Sequence, residues 1–134
     1  MTSTLAHATS TVGVDLLRRM ADALSVPDGG FSVDPRTGGA VTSGYAVAVF
    51  PEREQQISDR VLVADVSAYV FRHASVLAGS GVVVGGWRDP ESGIAFLDVS
   101  RVVADRETAV RLARQHRQLA YFDFAAGQSV PVAP

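Results

Sequence analysis

The 134-residue chain contains no cysteine. Disulfides, thiolate nucleophiles and cysteine-ligated zinc are thereby excluded. Lysine is also absent, and all 12 basic residues are arginine. Without lysine there is no Schiff-base amine and no phosphate-loop lysine, which removes pyridoxal and P-loop chemistry. Asparagine does not occur, and isoleucine is confined to Ile57 and Ile94. Lys, Asn and Ile have AT-rich codons, whereas Ala, Gly, Val and Arg abound. This is the composition expected of a gene from a high-GC bacterium or its phage. No stretch reaches the ~18 consecutive apolar residues of a membrane span. The opening MTSTLAHATSTVGV has no basic n-region and no apolar h-region, so a cytoplasmic location is expected. A formal net charge of −2 gives no global attraction to nucleic acid or anionic membranes.

What is present suffices for a core. Hydrophobic residues make up 47% and charged residues 19%, which excludes a wholly disordered chain. A folded monomer of this size exposes roughly 6,700 Å² of the ~20,400 Å² in its extended chain. One domain over residues 11–134 is expected, preceded by a flexible segment at 1–10.

Periodicity supplies the elements. Val12, Leu16, Leu17, Met20, Ala21 and Leu24 mark one face of a helix, capped by Ser10 or Thr11 and stopped by Pro27-Asp28-Gly29-Gly30. Phe31–Val33 and Tyr45–Phe50 read as strands of a hairpin around the turn Asp34-Pro35-Arg36-Thr37-Gly38-Gly39. Glu52–Ser58 reads as a polar loop or short helical turn. Val66, Tyr69, Val70, His73, Ala74 and Leu77 predict a helix over 65–78 with Asp65 as its N-cap. Val82–Trp87 and Ile94–Val99 flank a second Asp-Pro-x-x-Gly turn and predict a strong hairpin. Gly85-Gly86 marks a bulge or a close backbone approach. Asp105 caps a helix from Arg106 to about Arg117, followed by strands at 119–124 and 129–132. The expected fold class is α+β: an antiparallel or mixed sheet of hairpins with about three helices on one face. The repeated turn allows a duplicated hairpin–helix unit at 31–58 and 82–117.

Few residues form a chemical constellation. His7, His73 and His116 lie too far apart in sequence to form a ligand pair, and no metal or cofactor is called for. Asp98, Ser100, His116 and Asp123 could assemble a hydroxyl–imidazole–carboxylate site, although no nucleophile elbow surrounds the serine. Glu52-Arg53-Glu54 has the Glu-x-Glu pattern of ADP-ribosyltransferases, but Ser43, only nine positions away, is too close for that family's serine strand. An exposed turn explains the pair as well. The richest charge feature is 101–117, where Arg101, Arg106, Arg111, Arg114 and Arg117 face only Asp105 and Glu107. A solvated helix face or an anion-binding stripe both fit it. Trp87, Phe96, Tyr121, Phe122 and Phe124 either fill the core or form a contact patch.

The segments Gly85-Gly86-Trp87-Arg88-Asp89-Pro90-Glu91-Ser92-Gly93, Leu97-Asp98-Val99-Ser100, Ala109–Ala113 and Gln118–Asp123 carry a resemblance covering about 82–127. This region resembles small uncharacterised proteins, and associated segments of large polyvalent proteins, carried by actinobacterial genomes, phages and plasmids. The resemblance implies a mobile element or its host as context and assigns no catalytic residue.

The expected function is therefore non-enzymatic binding of a macromolecule. The surface expected to do it comprises Arg106, Arg111, Arg114 and Arg117 with Trp87 and Tyr121. A protein partner or self-association is favoured over nucleic acid. The alternatives are a small phosphate- or nucleotide-directed enzyme using Asp98, Ser100, His116 and Asp123, and a structural protein that self-associates through a sheet edge such as 45–50 or 128–132.

Overall fold

The computed structural model describes residues 13–133. The expected caps Ser10 and Thr11, the segment 1–10 and His7 lie outside them. Helix α1 spans Val14–Ala23 and buries Leu16, Met20 and Ala21 on the expected stripe. Strands β1 (Gly30–Asp34) and β2 (Gly39–Ala40) form a short hairpin. Strand β3 (Tyr45–Val47), a 3-10 turn at Pro51–Arg53 and strand β4 (Gln55–Ile57) follow. Helices α2 (Val63–Arg72) and α3 (Ala74–Leu77) lead into β5 (Val82–Arg88) and β6 (Ala95–Val103). Helix α4 (Arg106–Gln115) precedes β7 (Ala120–Asp123) and β8 (Gln128–Pro131).

The eight described strands form one curled sheet in the order β2-β1-β5-β6-β3-β7-β8, with β4 also paired to β6. Every pairing is antiparallel. The α+β class is as expected, and the mixed-sheet option is not used. Strand β6 organises the sheet. One edge pairs with β5 from Ala95 to Arg101. The other edge is shared: β4 takes Ala95–Leu97 and β3 takes Arg101–Val103. Asp98–Ser100 lie between these two partners.

Side chains alternate across a strand, so the register assigns each residue to a face. Ala95, Leu97 and Val99 pack with Leu16, Met20, Leu24, Val66, Tyr69 and Leu77 of the helical layer. Farther along the same face, Val47, Val49 and Tyr121 pack under Ala109 and Ala113 of α4. All four described helices thus cover one face, in two clusters. The other face carries Ser32, Ala46, Val83, Gly85, Trp87, Phe96, Asp98, Ser100, Val102 and Phe122, and no described helix lies on it.

Several local expectations change. The segment 45–50 does not return beside β1; β3 pairs with β6 and β7 inside the sheet, so it is not a free edge for self-association. Among the described residues strand β8 is an edge, paired only with β7. The expected helix at 65–78 begins at Val63 and divides at His73 into α2 and α3. Asp65 is not its N-cap but sits one turn in, where its Oδ2 accepts from the Leu62 amide at 2.8 Å. Residues 31–58 contain β1–β4 and no α-helix, whereas 82–117 contain two long strands and α4. The Gly85-Gly86 pair makes no bulge: register runs unbroken from Val82 to Arg88. The glycines serve close approach instead. A Cβ at Gly86 would enter the Phe31 ring, and one at Gly85 would stand 2.7 Å from Asp98 Oδ1.

Candidate binding groove on helix α4

Helix α4 starts where Asp105 caps it. The Asp105 Oδ2 accepts from the Thr108 amide at 2.9 Å, and the Thr108 hydroxyl donates to the same carboxylate. These bonds hold the exposed Asp105 carboxyl below its ordinary range, the Thr108 amide contributing most. Ala109 and Ala113 are fully buried, and their small side chains let α4 lie close on β3 and β7. The opposite side of the helix is left to arginine.

Arg106, Glu107, Val110, Arg111 and Arg114 line an open groove of about 740 Å³ with Tyr45 of β3. Arg106 is held from two sides. Its Nη2 stands 3.8 Å from Asp123 Oδ2, and its Cζ lies 6.0 Å from the Tyr45 ring centre. Tyr45 is braced in turn by Tyr121, edge to face at 5.7 Å. Arg114 Nε donates to the Ala133 carbonyl at 3.4 Å. Arg111 is exposed and reaches toward no ion-pair partner among the described residues. The groove therefore sets three guanidinium groups against the single carboxylate of Glu107. One aromatic wall and the apolar Val110 complete it. Guanidinium groups so arranged recognise carboxylates and phosphates by paired N–H donation.

The residues expected to form the binding surface separate. Arg106, Arg111 and Arg114 come together, and Tyr45, Glu107 and Val110 join them. Arg117 does not line the groove; it follows the helix with φ 57° and turns the chain toward β7. Tyr121 is 4% exposed and acts as the brace beneath Tyr45, not as a contact. Trp87 lies on the helix-free face, across the sheet from α4, so it shares no surface with the arginines. Tyr45 was missed because its role depends on pairing between β3 and β7, which leaves no mark in local periodicity.

The alternative enzyme residues do not assemble. Asp98 and Ser100 share the helix-free face, with Ser100 Oγ donating to Asp98 Oδ1 at 3.1 Å. Asp123 lies opposite Tyr45 on the α4 face. There it accepts the Ala126 amide at 3.1 Å and faces Arg106. His116 caps the C-terminus of α4. The sheet separates the hydroxyl from the Asp123 carboxylate and from the helix that ends in the imidazole. Glu52 is exposed in the 3-10 turn. Among the described residues no group of three His, Asp or Glu side chains could hold a metal ion. No described helix is long and apolar enough to cross a membrane.

Comparison with protein-family models, with curated proteins and with solved structures finds no match.

Proposed function

We propose that the chain is a non-enzymatic binding protein, an accessory factor of a high-GC bacterium or mobile element, whose α4 groove engages an acidic protein surface. The observation that carries this reading is the convergence of Arg106, Arg111 and Arg114 on one side of a groove walled by Tyr45. Two of these arginines are already steadied, by Asp123 and by the Ala133 carbonyl, so less side-chain freedom is lost on binding.

The test is fluorescence anisotropy with a labelled oligoglutamate peptide at low and high salt. The paired change Arg111→Gln and Arg114→Gln should weaken binding on the order of tenfold, equivalent to about 1.4 kcal/mol. Arg117→Gln, outside the groove, should change it less than about twofold. Equal binding by the double variant, or tight binding of duplex DNA with none of the peptide, overturns the reading.

A further inference from the structure

The helix-free face carries charge of the opposite sign to α4. Around β6 Asp98 sits largely buried at the gap between β3 and β4, bonded to Ser100. Alternation places Glu54 and Gln56 beside Asp98 and Phe96 on the same face. Gln56 Nε2 donates to Glu54 Oε2 at 3.4 Å, which ties these two exposed side chains together. Next to them Trp87 stacks on Phe96, with ring centres 6.2 Å apart and planes 24° from parallel. Trp87 remains 43% exposed. Its Nε1 donates to Asp28 Oδ1 at 2.8 Å, so the ring is fixed in position and a third carboxylate stands at the patch.

Among the described residues no arginine forms an ion pair with this patch. The ion pairs among the described residues are Arg18–Asp15, Arg36–Asp34 and Arg106–Asp123. Arg88 is drawn to the helix side by the Leu24 carbonyl, and Arg53 by His73. Carboxylates beside an exposed indole are the chemistry that receives a guanidinium, which can pair with one and stack on the other. The largest guanidinium cluster of the same chain is the α4 groove, on the far side of the same sheet.

We infer that the helix-free face around Trp87, Phe96, Glu54 and Asp28 is the docking surface for the α4 arginines of a second copy of this chain. The inference rests on the reading of α4 as an anion-seeking surface and names the partner. Because the two surfaces lie on opposite faces of one sheet, a contact between them cannot be reciprocal about a two-fold axis. It is heterologous, so copies stack head to tail into a ring or an open filament and grow past the dimer. Attraction between such surfaces is screened by salt.

Sedimentation velocity over a concentration series tests this. The wild-type chain should grow beyond dimer at low salt and return to monomer at about 0.5 M NaCl, where screening is nearly complete over a few ångströms. The acidic-face variant Glu54→Gln with Asp28→Asn, which keeps an acceptor for Trp87, should be monomeric. So should the arginine variant Arg111→Gln with Arg114→Gln. An equimolar mixture of the two variants should form a heterodimer that grows no further, because each retains one intact surface. Circular dichroism confirms that both variants fold. A monomeric wild-type chain at low salt, or a mixture that stays monomeric, overturns the inference. If the wild-type chain binds oligoglutamate yet stays monomeric, the groove reading stands and only the second-copy partner falls. If it binds no oligoglutamate, the groove reading itself falls. Binding of an arginine-rich peptide to the acidic face of a monomeric chain rejects the second copy as the occupant.

Discussion

The Nδ1 atom of His73 lies 2.8 Å from Nη1 of Arg53. A guanidinium can only donate, so Nδ1 is the acceptor and the imidazole between α2 and α3 is uncharged at that atom. His73 also packs against Tyr69, with ring centres 4.4 Å apart, and Tyr69 donates its hydroxyl to the Arg53 carbonyl at 2.6 Å. The three side chains lock the 3-10 turn to the helical layer.

This arrangement makes stability depend on pH. Burial, followed by the charges of Arg53 and Arg72, holds the His73 imidazole below its ordinary value of 6.5. The unfolded chain then binds the proton more readily than the folded one. The contribution of His73 is full above 6.5 and is lost as pH falls toward and through its folded value. Thermal melts should show Tm falling over that window, and His73→Gln should flatten the slope. An unchanged slope in His73→Gln would remove His73 as its source.

Asp98 works in the other direction. Burial raises its carboxyl above the ordinary 3.8, Ser100 opposes the shift, and Glu54 adds to it. The folded chain holds this proton more tightly, so stability from Asp98 is lost as pH rises through its folded value. Asp98→Asn keeps an acceptor for Ser100 and removes the charge. It should stabilise the fold at neutral pH by about 1 kcal/mol in urea titrations. The advantage over wild type should shrink as the medium is acidified toward 3.8. A variant less stable than wild type at neutral pH contradicts this account.

Gly86 gives Phe31 its seat in the core. Gly86→Ala drives a methyl into that ring and should cost about 1–3 kcal/mol by displacing it. In a Phe31→Ala background the same change should cost much less. Additive losses in the two variants would show that the ring is not the obstruction.

Asp105 supplies the N-cap bonds of α4. Asp105→Ala should lower stability by about 1 kcal/mol in equilibrium denaturation, because the Thr108 amide loses its acceptor. Thr108→Ala on top of it should add little, since the hydroxyl bonds to the same carboxylate. Two independent losses would place the cap elsewhere.

Strong local patterns were legible in the sequence. The apolar stripes of α1 and α4, the β5–β6 hairpin and the Asp105 cap all carry their signals within a few residues. The Asp-x-x-x-Gly form was legible at two turns and occurs at three, the third marked in the sequence only as a turn at Ala126-Gly127. Asp34, Asp89 and Asp123 each accept the amide of the glycine four positions on, at 2.8 Å, and Gly38, Gly93 and Gly127 each take positive φ. Proline marks the first two, and Ala125-Ala126 gives the third no such flag.

The rest depended on distance. Strands β3 and β4 have only three residues each, too few for alternation to stand out. Gln55-Gln56-Ile57 is polar enough to read as loop, yet its backbone completes the edge of β6. The break falls at His73, which contacts Arg53, 20 positions earlier. The groove was half legible: spacing revealed the arginines, but Tyr45 reaches them only through pairing with strands more than 50 residues away.

Strand β6 is the last component of the main core to be synthesised, and β1, β3 and β4 all lie upstream of it. A nascent chain that has emerged only to Gly93 can pair β1 with β5, but offers β3 and β4 no partner. Their backbone amides stay open to neighbours on the same polysome until translation passes Val103. Ribosome-tethered fragments ending before Ala95 should therefore need a holdase to remain dispersed, and those extending past Asp123 should release it.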